Sequence, residues 1–151
     1  MTDDKQVRFQ RANFVVADLD RALTFYKDVL GFSEEYRLGH NPESYSLSVF
    51  EIPDGATLGF VTLNSPTQRR VMALTEMKGV ELPPVPHPRR SAIVVEVGDP
   101  DAVMEGARRL GLHVYREEKL VTGDGRIGRE IGIVDFDENL VVIYKITDKK
   151  A

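Results

Sequence analysis

The chain has 151 residues, 20 basic and 24 acidic side chains and a net charge of −4, with no clustered basic run of the kind a nucleic-acid partner demands. It contains no cysteine, which excludes disulfides, thiolate metal sites and a cysteine nucleophile. Its start, MTDDKQVRFQ, is too polar for a signal peptide, and no apolar run approaches the ~18 residues of a membrane span, so a cytoplasmic protein without a membrane partner is expected.

Residues 9–16, FQRANFVV, read as a strand. Asp18 follows as a helix N-cap, whose carboxylate accepts from free N–H groups of the first turn. Ala22, Tyr26 and Val29, with Leu23 and Leu30 beside them, recur at helical spacing, and Gly31 suits the left-handed stop. Strands are predicted at 33–38, 44–52 and 57–63, separated by the turn sequences GHNPES and PDGA.

Residues 64–90 read as a connector, stiffened by Pro83, Pro84, Pro86 and Pro88, with a short helix in QRRVMALTEM. Its length also suits a lid over a pocket. The methionines of VMALTEM read as helical core packing rather than a cofactor box.

From Ser91 the first pattern returns. SAIVVEVGDPDAVMEGARRLG gives a strand, a cap at Asp99, Pro100 at the first helical position, a stripe of Val103, Ala107 and Leu110, and a stop at Gly111. Strands are predicted at 113–121, 129–134 and 140–146, around the turns TGDGRIG and DFDEN. The two halves keep their offset to within one residue from the strand to the helix stop, which is a repeat. The expected fold class is therefore α+β, two tandem βαβββ modules at 9–63 and 91–146 within one domain spanning 1–151. GDGRIG matches G-x-G-x-x-G, but a β-branched strand follows it where the dinucleotide fingerprint needs a helix, so it reads as a hairpin loop.

Paired modules carrying VADLDRALTFYKDVLGF resemble the vicinal oxygen chelate superfamily of glyoxalases, bleomycin resistance proteins and extradiol dioxygenases, over residues 9–146. The resemblance implies a U-shaped cavity, a small-molecule ligand and, in many relatives, a homodimer. It also implies, in the metal-dependent members, one ligand from the first strand and one from the last strand of each module. Carried onto this chain, those places fall on Arg11, on Gly59 or Phe60, on Ala92 and on Val142. None is a usual donor to a divalent metal, and the Arg11 guanidinium repels a cation. His40, His87 and His113 show no spacing that aims two imidazoles at one point, so neither metal nor cofactor is expected.

Strand alternation sends Ala12, Phe14 and Val16 to the first helix, and Arg11, Asn13 and Val15 to the cavity. It also sends Ile93, Val95 and Val97 to the second helix, leaving Ala92, Val94 and Glu96 opposite, and it places Ser44, Ser46, Ser48 and Phe50 across from Tyr45, Leu47 and Val49. The candidate ligand-binding set is Arg11, Asn13, Ser46, Ser48, Phe60, Glu96, Glu130 and Tyr144. Two partners are open to Arg11: an internal ion pair with Glu96 or Glu130, or the carboxylate or phosphate of a ligand. Arg129 belongs to that network or is a solvated strand residue.

The expected function is binding of an anionic or aromatic organic molecule without the family's metal. The alternatives are a metal-free lyase or isomerase in which Glu96, Glu130 or Tyr144 moves a proton, and a glyoxalase- or dioxygenase-like metalloenzyme with atypical ligands.

Overall fold

Asp18 and Asp99 cap the two long helices, accepting from the backbone N–H groups of Arg21 (3.0 Å) and Ala102 (3.1 Å). Gly31 and Gly111 follow those helices with φ of 94° and 79°, the left-handed conformation that glycine adopts without a Cβ penalty. The computed structural model describes residues 6–148. In chain order the elements are β1 (Ala12–Val16), α1 (Leu19–Tyr26), β2 (Ser33–Leu38), α2 (Tyr45–Val49), β3 (Thr57–Asn64), β4 (Met72–Lys78), β5 (Ile93–Glu96), α3 (Pro100–Arg109), β6 (Glu118–Val121), β7 (Ile127–Val134) and β8 (Leu140–Asp148).

They form two four-stranded sheets, β1-β4-β3-β2 and β5-β8-β7-β6, in an α+β fold. In each, the first strand pairs with the last in parallel and the remaining ladders are antiparallel. The order and the sense of pairing are the same in both, so the repeat read in the sequence is a repeat of topology.

Two predicted elements change identity. Residues 44–52 are not a strand: Ser44 caps the short helix α2, its hydroxyl accepting from Ser46 N–H, and Tyr45 and Val49 are exposed at 78% and 53% rather than packed in the core. The predicted helix in the connector is instead β4, the central strand between β1 and β3. Its first four residues, Met72 to Thr75, are all buried, because a strand paired on both edges and covered on both faces shows no alternation. Predicted strand 113–121 forms a ladder only at β6, with Val114 making an isolated bridge to Ile133.

The core lies between the sheets and their helices. Phe25 and Tyr26 of α1 meet Val16 and Leu74 of the first sheet, and the same cluster takes in Val103 and Ala107 of α3 with Ile133 and Ile143 of the second. Phe14, Ile93, Val95 and Val97 pack on it as alternation predicts.

The modules are fastened through the β7–β8 turn. Tyr26 Oη donates to Asp135 Oδ2 (2.7 Å), Ala17 N–H to Asp137 Oδ1 (3.2 Å), and Asn139 Nδ2 to the Val15 carbonyl (3.3 Å). Arg21 pairs with Asp137 at 3.2 Å. Asp135 is held in turn by the N–H groups of Asp137 and Asn139. Among the described residues, the equivalent β3–β4 turn of the first module makes no such bond with β5. There, Ser65–Gln68, Leu30 and Phe32 stand across a cleft of about 610 Å³ from Ile93–Val97.

Candidate functional site

The face of the first sheet that turns away from α1 is built in rows by strand register. Asn13, Ala73, Thr62 and Tyr36 lie side by side across β1, β4, β3 and β2, and Val15, Thr75, Phe60 and Leu38 form the next row. Arg11 precedes β1 and shares the side of Asn13 by alternation. The Tyr36 and Phe60 rings are tilted neighbours with centroids 6.4 Å apart. The Arg70 guanidinium sits 5.6 Å from the Tyr36 centroid, and Arg69 and Arg70 both pair with Glu35.

Arg11 is half-buried, and neither expected partner reaches it. Among the described residues it makes no ion pair or hydrogen bond, and its Nε is sealed from solvent without an acceptor. Glu96 and Glu130 stand on the other sheet, where they flank Tyr144 in a row completed by Glu118. That register is why no internal pair forms: acidic residues that are plentiful in the sequence are segregated in space. The Thr75 hydroxyl donates to Asn13 Oδ1 (3.0 Å), which leaves the Asn13 amide N–H groups for another acceptor. Thr62 Oγ1 is wholly buried and has no partner in the same row.

The remaining candidates divide. Ser46 and Phe60 line a cavity of about 360 Å³ with Leu38, His40, Ser44 and Thr75. Ser48 lies exposed on α2, because the strand that was to aim it at the cavity is a helix. Glu96 lines the cleft beside β5, and Arg11 lines neither space. Arg129 belongs to a separate ion network, bonded to Glu117 (2.8 and 2.7 Å) and to Asp101 (3.3 and 2.7 Å), which ties β7 to the start of α3. Those partners hold the Arg129 guanidinium ionised and keep the Glu117 and Asp101 carboxyls below their usual range.

Tyr36 and Arg70 are candidate residues that sequence reasoning did not single out, and His40 is one it set aside. Tyr36 and Arg70 carried a signal only once β3 and β4 were paired correctly. His40 looked like a histidine in a polar turn, and nothing local to it forecasts that its Nδ1 accepts from Leu58 N–H at 3.0 Å, across a long stretch of chain.

The family's metal places can now be located by register. Asn13 and Val94 each lie five residues before a capping aspartate, and they pair with Ala73 and Val142. The last-strand position of the first module is therefore Ala73 on β4, not Gly59 or Phe60 on β3. Arg11, Ala73, Ala92 and Val142 offer no imidazole or carboxylate, and no group of three or more His, Cys, Asp or Glu side chains able to hold a metal occurs among the described residues. The donor set does not fit the metal. No helix among those residues is long and apolar enough to cross a membrane.

Comparison with known proteins agrees with this architecture. A glyoxalase-family protein from Bacillus cereus superposes with a TM-score of 0.66 at 16% identity, over 97% of this chain and 98% of that one. The trypanothione-dependent glyoxalase I of Leishmania major gives 0.62 at 21%, over 93% and 87%. The genomically encoded fosfomycin resistance protein FosX of Listeria monocytogenes gives 0.57 at 19%, over 94% and 95%. At these identities the likeness is one of fold, and no curated protein matches the sequence. The family model matches residues 8–143, so the chain belongs to the Glyoxalase/Bleomycin resistance protein/Dioxygenase superfamily.

Proposed function

We propose that this protein binds a small anionic organic molecule on the face of its first sheet that turns away from α1, without the family's metal. One observation carries the reading: a half-buried guanidinium, Arg11, that the described residues leave unpaired. A polar N–H sealed from water without an acceptor, as the Arg11 Nε is, is costly, so a fold that retains one has a use for the residue. Its two terminal nitrogens present a fork matched to a carboxylate or phosphate. The Tyr36–Phe60 pair supplies an aromatic surface on the same face of the sheet, and the Asn13 amide a further donor. An aryl carboxylate combines these features.

Calorimetric titration with benzoate and with uncharged benzyl alcohol tests the proposal. Benzoate binds, benzyl alcohol binds more weakly, and Arg11→Ala weakens benzoate by roughly tenfold or more, as expected for a charge-assisted contact. Arg11→Lys recovers part of the loss. Equal binding by wild type and Arg11→Ala would overturn it.

A second reading has its own observation. Glu96, Tyr144 and Glu130 occupy adjacent ladder positions, and neither glutamate has a partner among the described residues. That row suits proton transfer beside a carbonyl, as in a metal-free isomerase or lyase. Recovery of the bound compound unchanged separates the binder from the enzyme.

A further inference from the structure

We infer that the 360 Å³ cavity around His40 is a binding site for a small uncharged molecule carrying a carbonyl oxygen on an apolar ring or short chain. The inference stands apart from the Arg11 reading. Arg11 does not line this cavity and lies four residues, about 13 Å of strand, from the row that does. Phe60 is the residue shared with the aromatic pair.

The lining sets the ligand's chemistry. Leu38, Leu58 and Phe60 give it an apolar surface, and no Asp, Glu, Lys or Arg contributes to it. An ionised ligand would lose its hydration there and meet no counter-charge. The volume falls at the small end of the range for organic ligands, enough for one ring and its substituents.

His40 sets the polarity. Leu58 N–H donates to its Nδ1 at 3.0 Å. An imidazole nitrogen that accepts carries no proton, so the neutral ring holds its proton on Nε2. The second nitrogen is thus fixed as a donor, and it has no acceptor among the described residues. Of the other lining hydroxyls, Ser44 Oγ accepts from Ser46 N–H and Thr75 Oγ1 donates to Asn13, whereas the Ser46 hydroxyl makes no hydrogen bond among the described residues. His40, an exposed residue whose Nδ1 is already taken, thus brings an imidazole donor to a lining that also holds Leu38, Leu58 and Phe60, a combination that suits a carbonyl.

The segment carrying His40 is braced by local bonds: Asn41 Oδ1 accepts from Glu43 N–H (3.0 Å), and Ile52 N–H donates to the Leu47 carbonyl (2.9 Å).

Titration of ¹⁵N-labelled protein at pH 8 with acetophenone, and with α-methylstyrene as the isostere lacking the oxygen, tests the inference. Acetophenone is expected to shift the Leu58 amide and the His40 Nε2 resonance, and to bind roughly threefold to tenfold more tightly than α-methylstyrene, the effect of one hydrogen bond. His40→Phe should bring the two ligands to equal affinity. If that variant does not fold, the long-range ¹H–¹⁵N spectrum of the wild type still decides, because it reads the tautomer directly. A proton on Nδ1, equal affinity for both probes in the wild type, or shifts confined to other residues would overturn the inference. Benzoate titrated into the same samples reads the Arg11 site through its own resonances, so failure of one site is distinguishable from failure of the other.

Discussion

Tyr26 Oη lies 2.7 Å from Asp135 Oδ2, a hydrogen bond that joins the first helix of one module to the β7–β8 turn of the other. Both residues are buried, and Asp135 also receives bonds from Asp137, Asn139 N–H and Asn139 Nδ2. A carboxylate so enclosed is stabilised by its donors and is exposed to the loss of any of them.

Removing the hydroxyl is the direct check. Tyr26→Phe keeps the ring in the core and takes one donor from Asp135, so it should cost about 2 kcal/mol in urea unfolding. Asn139→Ala also frees the Val15 carbonyl and should be coupled to Tyr26→Phe in a double-mutant cycle.

The same bond fixes an alkaline response. Burial, then the Asp135 charge, raises Tyr26 well above the usual tyrosine value of 10.0. Folded Tyr26 thus keeps its proton where the unfolded side chain has lost it. The associated stability is whole below pH 10 and declines as pH rises through the folded value. Denaturation midpoints between pH 9 and 11.5 should fall in the wild type, and this part of the fall should be missing in Tyr26→Phe.

An acidic counterpart sits in the β6–β7 turn. The Thr122 hydroxyl and the Arg126 guanidinium lower Asp124 from 3.8 to about 2. Its contribution is present above 3.8 and lost as pH falls towards 2. A carboxyl NMR titration should give a midpoint near 2, moving back towards 3.8 in Arg126→Ala.

Arg11→Met should separate stability from function. The substitution removes a sealed Nε that has no acceptor, so it should leave stability unchanged or raise it by up to about 1–2 kcal/mol. Benzoate binding should be lost in the same variant. A large loss of stability would mean that Arg11 serves the fold.

Backbone approach gives a further pair of outcomes. A Cβ on Gly128 would lie 2.3 Å from the Lys145 carbonyl oxygen, and backbone cannot move aside cheaply, so Gly128→Ala should cost about 3 kcal/mol. Gly98 has open space around the same position, and Gly98→Ala should change stability by less than about 0.5 kcal/mol.

The helix caps, the glycine stops and the alternation of β1 and β5 were legible because each is a short-range rule. The failures came where a neighbour overrode local preference. Ser44 to Val49 alternates polar with apolar residues as an exposed strand does, yet the Ser44 cap makes it a helical turn. MALTEMK is rich in helix formers, but β1 and β3 both pair with it. Misplacing β4 also displaced one metal position from Ala73 to Gly59 or Phe60. The residue types at the family's ligand places are a matter of sequence alone, whereas the segregation of Arg11 from Glu96 and Glu130 depends on which sheet each strand joins.

The polar fastening at Asp135–Asn139, facing an unfastened cleft beside β5, has a mechanical consequence. The modules are bound along one margin like the leaves of a book, with Tyr26 and Asp135 in the spine. Opposite that spine, the cleft between Ser65–Gln68 and Ile93–Val97 has no polar fastening among the described residues, so it is the margin that any spreading of the two leaves would widen.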